Sequence, residues 1–559
     1  MIQETIDRLQ NAPVRKHGLT LQRRIDLCRS CVETIIPTIE DWIQTGARGK
    51  LCPDRKDVLA EELLTGPLIA VRLLKLLEKS FSDLQRFGAP KLPENINNGS
   101  IRRLHTKPLI KIFPTNSLWD SVTFRGIEAN AVLAARTDPN KIHLALFDRL
   151  QDSSVSKISL VLGAGNVSSV PFSDAIHKSL VCGQQVILKM NPVNAYLKPI
   201  FEQAFAPLFK EGLLVALEGD SQVGQALVDH PSIDDVHLTG SIQTHDRIVW
   251  GDDPLESQLR KGSNSPRLTK PVTSELGNVS PWIVVPGKYS TAELDSQAKH
   301  IAASITNNVG FNCLATRVII THQSWPQRRR FLDLIQKHLR ETPLRPSYYP
   351  GSIERYQKFT QSNTQPDGSG CLPWCLLESQ DIENNPLVFQ EESFACMCIE
   401  TALNSPNQEW FLEQAVAFCN NQLPGTLCAS ITFPNRFIQE KRSLVNSAVN
   451  KLGYGCVCIN QWSGLAYSLL TPPWGGAPGA TLDDAKSGIG QVHNTFLLER
   501  VEKTILRGPL INSPKPVWFP DHRNALAVGH ELIGLYHSSD LRSSTGHLLR
   551  LFRNALSGA

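Results

Sequence analysis

Residues 158–189 read ISLVLGAGNVSSVPFSDAIHKSLVCGQQVILK. The run ISLVL at 158–162 is short, uninterrupted and apolar, and Gly163-Ala164-Gly165 closes it, which is how a strand buried on both faces reads. A helix is expected over 172–181 and a second strand over 185–188 (QVIL). The alternation continues with a helix over 196–209, a strand over 213–217, a helix over 223–229 and a strand over 235–238. Strands and helices alternating at this spacing need right-handed crossovers, so the chain is expected to be α/β, a parallel sheet with helices on both faces. Such a sheet receives ligands at the carboxyl ends of its strands.

Downstream, a second alternating block begins with a strand at 282–285 and continues through 317–321, predicting a second α/β domain. Residues 341–385, rich in Pro, Ser, Gly and Asn, read as a surface excursion. Upstream, residues 1–100 form a helical N-terminal region: Ile25, Val32, Ile35 and Ile39, then Leu59, Leu63, Leu64, Leu68 and Val71, recur near the 3.6 period. The segment 95–100 (NINNGS) punctuates its end.

With 559 residues, three or four structural units are expected at ~150 residues each. Lys+Arg (57) and Asp+Glu (53) nearly cancel, which argues against a nucleic-acid partner held by a basic face. No membrane span is expected either, because the most apolar helical stretch, 63–77, is short and carries Arg72 and Lys75. Thirteen cysteines without a regular framework, behind an N-terminus lacking a signal-peptide pattern, fit reduced thiols in the cytoplasm. Cys28 and Cys31 form a CxxC with no second pair at zinc spacing, so they read as helix residues and no metal site is expected.

Three pieces carry chemistry. Cys313, in NVGFNC, follows a helix expected over 294–307 and occupies a Gly-containing turn, where a nucleophilic thiolate has the partly open setting it needs. Glu275, in SELGNVSP, stands before a buried strand where desolvation makes a general base; a capping or surface carboxylate is the ordinary alternative. Asn166, Lys189 and Gly240-Ser241 each follow a strand, so the topology brings them to one sheet edge. Gly163-Ala164-Gly165 lacks the third glycine of the usual dinucleotide fingerprint.

Together these blocks resemble the aldehyde dehydrogenase superfamily over about residues 107–507. The matching segments are Asn166 with Lys189 in VILK, HPSIDDVHLTGS (230–241), SELGNVSP, NVGFNC and EESF (391–394), then PWGG (473–476) and KSGIG (486–490). The resemblance implies a Rossmann-like NAD(P)-binding domain at 101–280 with a polar insertion at 251–270, expected to be a surface loop. It further implies a catalytic domain at 281–455, a return to the cofactor domain at 456–509 and an extension at 510–559. By the same resemblance, Cys313 is the nucleophile and Glu275 the base for thioester hydrolysis. Asn166 and the Cys313 N–H hold the oxyanion, while Lys189, Gly240, Ser241, Glu392 and Phe394 bind NADP or NAD. The implied reaction is oxidation of an aldehyde to a carboxylic acid by a homodimer or homotetramer, and it calls for a low-pKa thiol.

The departures bear on specificity. Val167 stands where the family usually has an aromatic residue, and Ala395-Cys396 replaces Gly-Pro. Pro192 stands where NAD enzymes of the family commonly carry a glutamate, which removes repulsion toward a 2′-phosphate and leans toward NADP. Trp462, Tyr467 and Trp474 would line an apolar substrate tunnel or pack in the core. Cys371 and Cys375 lie in the irregular stretch, where a reactive surface thiol is open; Cys396/Cys398 and Cys456/Cys458 read as packing. Two other functions stay open: a fatty-acyl thioester reductase of the same superfamily, and a non-catalytic binding member. Glu275 favours the hydrolytic branch, because transfer to a thiol needs no such base.

Overall fold

The computed structural model describes residues 2–93, 102–538 and 540–558. The fold is mixed α/β with two sheets. The smaller has the order Leu214–Leu217, Gln185–Lys189, Ile158–Leu162, Asp235–Gly240, Val272–Leu276, with every pair parallel. Ile158–Leu162 is central and the chain departs from it to both sides, so its carboxyl end is a topological switch point. The registers Leu162↔Lys189 and Thr239↔Glu275 align the strand ends, bringing the segments that carry Asn166, Lys189, Gly240 and Glu275 to one edge.

The larger sheet has ten strands. Its parallel part contains Val501–Arg507, Cys456–Ile459, Cys428–Thr432, Pro281–Val284, Val318–His322, Met397–Leu403 and Cys375–Leu377, in that order. The antiparallel strands Glu128–Leu133, Lys107–Phe113 and Arg103–Leu104 extend it beyond Val501–Arg507.

The N-terminal region is helical, and helices Leu21–Ile35 and Pro67–Phe87 pack against each other. The 95–100 segment lies outside the described residues. Cys28 and Cys31 are fully buried on Leu21–Ile35, and burial pushes the Cys31 thiol up to about 12, so both pack. Arg72, which seemed to interrupt an apolar helix, is buried against Asp120 at 3.0 Å and donates to the Leu469 carbonyl. Helices Ala525–His537 and Leu541–Ser557 form a hairpin, and the first packs on Lys56–Thr65 and Pro67–Phe87, so the two ends of the chain meet. Among the described residues, no helix is long and apolar enough to cross a membrane.

Several local expectations are corrected. The polar insertion 251–270 folds an exposed helix, Pro254–Gly262, where a loop was expected; Asp253 caps it by accepting the Glu256 N–H. The helix expected over 172–181 is Ser169–Ile176 continued by a π-turn, His177–Val181. The stretch 341–385 is more than a surface excursion: it contains helix Ser352–Thr360 and buries Arg345, Tyr356 and Phe359. Cys371, read as a candidate surface thiol, is buried, and desolvation raises its pKa.

Candidate active site

A helix with a firm start and an abrupt end presents Cys313. Ser290 and Glu293 form a capping box at the start of Thr291–Thr306. Beyond Asn307 the chain enters the left-handed region at Asn308 (φ 48) and Val309 (φ 58), a conformation that costs a β-branched residue about 1–3 kcal/mol. Hydrogen bonds hold the turn there. Asn308 Nδ2 donates to the Phe311 carbonyl (2.9 Å) and the Asn166 carbonyl (2.8 Å), and Tyr348 Oη donates to Asn308 Oδ1 (2.8 Å). Gly310 (φ 75) passes so close to the Ala395 carbonyl that a Cβ would collide with it. Arg317 staples the two segments, donating to the Ala395 carbonyl (2.9 Å) and the Gly310 carbonyl (2.6 Å).

The thiol of Cys313 lies 3.8 Å from Glu275 Oε1, and the Asn166 amide donates to the Phe311 carbonyl at 3.1 Å, two residues before the thiol. Glu275 is buried at the end of its strand, and its Oε2 has no hydrogen-bond partner among the described residues. Burial, with the Asp174 carboxylate adding repulsion, pushes Glu275 up to about 8, against the opposing pull of the Trp474 indole and the Cys313 thiol. Cys313 departs from expectation. Burial first, and then the Glu275 and Glu392 carboxyls, raise its pKa well above the ordinary thiol value. Both groups are thereby held toward their neutral, protonated forms.

The cofactor candidates line the same cavity, of about 1440 Å³, that contains Asn166, Glu275 and Cys313. Lys189, buried at its strand end, has its pKa lowered by desolvation, with Asp220 as its charged neighbour. Ser241 caps helix Ile242–Trp250, accepting the Thr244 N–H. Glu392 lies against Gly277 so closely that any Cβ there would strike its carboxylate. Its Oε1 has no partner among the described residues, and burial outweighs Arg317 and Arg355 to raise its pKa to about 7. Phe394 packs beside Phe311 (6.0 Å between centroids) and Tyr349 (5.1 Å), under the Arg355 guanidinium. Trp462 and Tyr467 line the cavity, whereas Trp474 is core, buried edge-on against the Tyr467 ring at 5.4 Å; Trp462 donates to the Leu314 carbonyl at 2.7 Å.

An ion cluster behind the turn has no counterpart in the sequence reading. Glu61 Oε2 accepts the Asn308 N–H (2.9 Å) and the Asn307 amide (3.1 Å), and Arg345 pairs with Glu61 through two 2.9 Å bonds. Burial opposes ionisation of Glu61, but Arg345, Lys50 and the Asn308 N–H outweigh it and hold the carboxyl below its ordinary range. The only sequence signal was the acidic pair Glu61-Glu62 inside an apolar helical pattern. Glu61→Gln leaves Arg345 buried and poorly compensated, so we expect a loss of about 3–5 kcal/mol, measured by chemical denaturation.

Residues 161–352 match a family model described as "Aldehyde dehydrogenase family". The 4-trimethylaminobutyraldehyde dehydrogenase B of Danio rerio is 29% identical over 174 residues, covering 30% of this chain and 29% of that protein. The betaine aldehyde dehydrogenase of Vibrio vulnificus is 32% identical over 133 residues, 23% of each chain. The matched stretches thus span about three-tenths or less of these relatives' length. Among solved structures, the aldehyde dehydrogenase KauB from Pseudomonas aeruginosa superposes with TM-score 0.58 at 15% identity, over 90% of this chain and 88% of that one. The NADP-dependent glyceraldehyde-3-phosphate dehydrogenase from Bacillus halodurans gives TM-score 0.58 at 18% identity, over 90% and 91%. The family match covers the segment containing Asn166, Glu275 and Cys313, and the likeness of fold to solved aldehyde dehydrogenases extends over most of the chain.

Proposed function

We propose that this protein oxidises an aldehyde to a carboxylic acid with NADP or NAD. The observation that carries the reading is the 3.8 Å approach of the Cys313 thiol to a buried, protonatable Glu275 carboxyl. With Glu275 ionised, Cys313 passes its proton to that carboxylate and attacks the aldehyde carbon as thiolate. The Asn166 amide and the Cys313 N–H hold the oxyanion, both donors being fixed by the turn. Once oxidation has left a thioester on Cys313 and Glu275 has released that first proton to solvent, Glu275 takes a proton from the water that cleaves the thioester, and Cys313 leaves as the thiolate.

The residues at the strand ends fit a dinucleotide. Glu392 offers a buried, unpartnered carboxyl oxygen suited to ribose hydroxyls. Lys189 and the helix N-terminus at Ser241 supply positive potential and donors for sugar and phosphate. Bound there, the dinucleotide supplies the acceptor for the two electrons leaving the aldehyde. The reading also includes a reducing, cytoplasmic setting, to which unpaired cysteines are suited, and assembly as a homodimer or homotetramer, which sedimentation measures.

Pro192, at the cavity three residues after Lys189, permits a 2′-phosphate. Pro192→Glu should depress kcat/KM for NADP roughly tenfold or more relative to NAD, from like-charge repulsion across a few ångströms. Equal loss with both cofactors contradicts that role. The proposal as a whole is tested by following reduced nicotinamide over a panel of aldehydes, with and without coenzyme A. Thiol-independent formation with acid as product is expected; a strict requirement for coenzyme A favours the acyl-thioester branch.

A further inference from the structure

The cavity holding Cys313 is also lined by the two ends of the chain, which lie outside the matched 161–352 segment. Helices Lys56–Thr65 and Pro67–Phe87 contribute Leu64 and Leu68, and the C-terminal extension contributes Phe519, Leu532 and Tyr536. Ala525–His537 packs on both N-terminal helices, so this wall is built into the fold. It is continuous with the nucleophile turn. Trp462 is bonded to the residue after Cys313, and the Leu469 carbonyl accepts from Arg72, whose guanidinium lies 4.9 Å from the Tyr536 ring centroid.

The charges brought to this wall by the chain ends are already satisfied. Arg72 is paired with Asp120, Glu61 with Arg345, and Asp57 with Arg55. His522 is buried and its pKa is lowered by desolvation and Lys515, which keeps it neutral near pH 7. A charged substrate tail would therefore lose its water without gaining a counter-ion, whereas an apolar tail gains by burial.

We propose that the substrate is an aldehyde with an uncharged, apolar tail of several carbons, and that the C-terminal segment 517–536 selects for that tail through Phe519, Leu532 and Tyr536. This rests on the aldehyde-oxidising reading above and adds the substrate class and the segment that recognises it.

The test compares kcat/KM for linear aldehydes from propanal to decanal and for a trimethylammonium-bearing aldehyde. On the native enzyme, kcat/KM is expected to rise up to about fourfold per methylene until the cavity is filled, with the cationic aldehyde well below its neutral isostere. Leu532→Trp, which fills the wall, should lower the decanal-to-propanal ratio at least tenfold, as should Phe519→Ala, which removes contact area. The second variant keeps the test decisive if the first does not fold. A flat chain-length series, a preference for the cationic aldehyde, or an unchanged ratio in both variants overturns the tail assignment while leaving aldehyde oxidation intact. Calorimetric titration of Cys313→Ala with decanal separates the opposite case: binding without turnover by any native preparation keeps the tail site and removes the oxidation reading.

Discussion

Cys313→Ala is expected to abolish formation of reduced nicotinamide from aldehydes, by roughly 10⁴–10⁶-fold, the scale seen when a covalent nucleophile is removed. Cofactor affinity, measured by fluorescence titration, is expected to stay near native, since the strand-end residues do not depend on the thiol. No neighbouring cysteine can substitute. Cys428 is fully buried, pushed up to about 12 by burial, and engaged by the Ser463 hydroxyl at 3.2 Å. Turnover retained in this variant would place the chemistry elsewhere in the cavity.

Glu275→Gln should separate oxidation from hydrolysis. The first turnover remains, and the second slows by ~10²–10⁴-fold because the thioester finds no activated water. Added thiol relieves the block only if the protein is an acyl-transferring relative. The raised pKa gives a second readout. A base works deprotonated, so the hydrolytic rate of the native enzyme rises with pH through about 8, and that limb disappears in the variant. Stability runs the other way. The folded state holds a proton that the unfolded chain releases above 4.5, so native stability falls between 4.5 and about 8, by roughly 3–5 kcal/mol. Glutamine carries no such charge. Glu275→Gln is therefore expected to gain stability over native as pH rises through that window, seen as a growing difference in denaturation midpoint.

Where strands alternate with helices, the sequence was enough to predict which segments share one sheet edge. Runs such as ISLVL and QVILK are buried on both faces, and their carboxyl ends converge by topology alone, which brought the Asn166, Lys189, Gly240 and Glu275 segments to one edge. What was not legible depends on pairing across long separations. Glu61 meets Arg345 from 284 residues away, and nothing local in either segment points to the other. Tyr348 lay in a stretch whose Pro, Ser and Gly content signalled a loop, yet its hydroxyl holds the side chain of Asn308. The extension after residue 510 carried no family motif, so its place at the cavity followed only from the packing of Ala525–His537 on the N-terminal helices. The thiol pKa was misjudged because a nucleophile's chemistry calls for a thiolate, whereas burial, and then the two carboxyls beside Cys313, favour the neutral form.

In the proposed reaction Cys313 carries the acyl group and Glu275 releases it. The most direct measurement is the intact mass of Glu275→Gln after rapid mixing with decanal and NADP, followed by peptide mapping. One acyl group per chain is expected, on the peptide containing Cys313, together with one equivalent of reduced cofactor. Steady turnover with no acylated peptide, or an adduct on another residue, would contradict it.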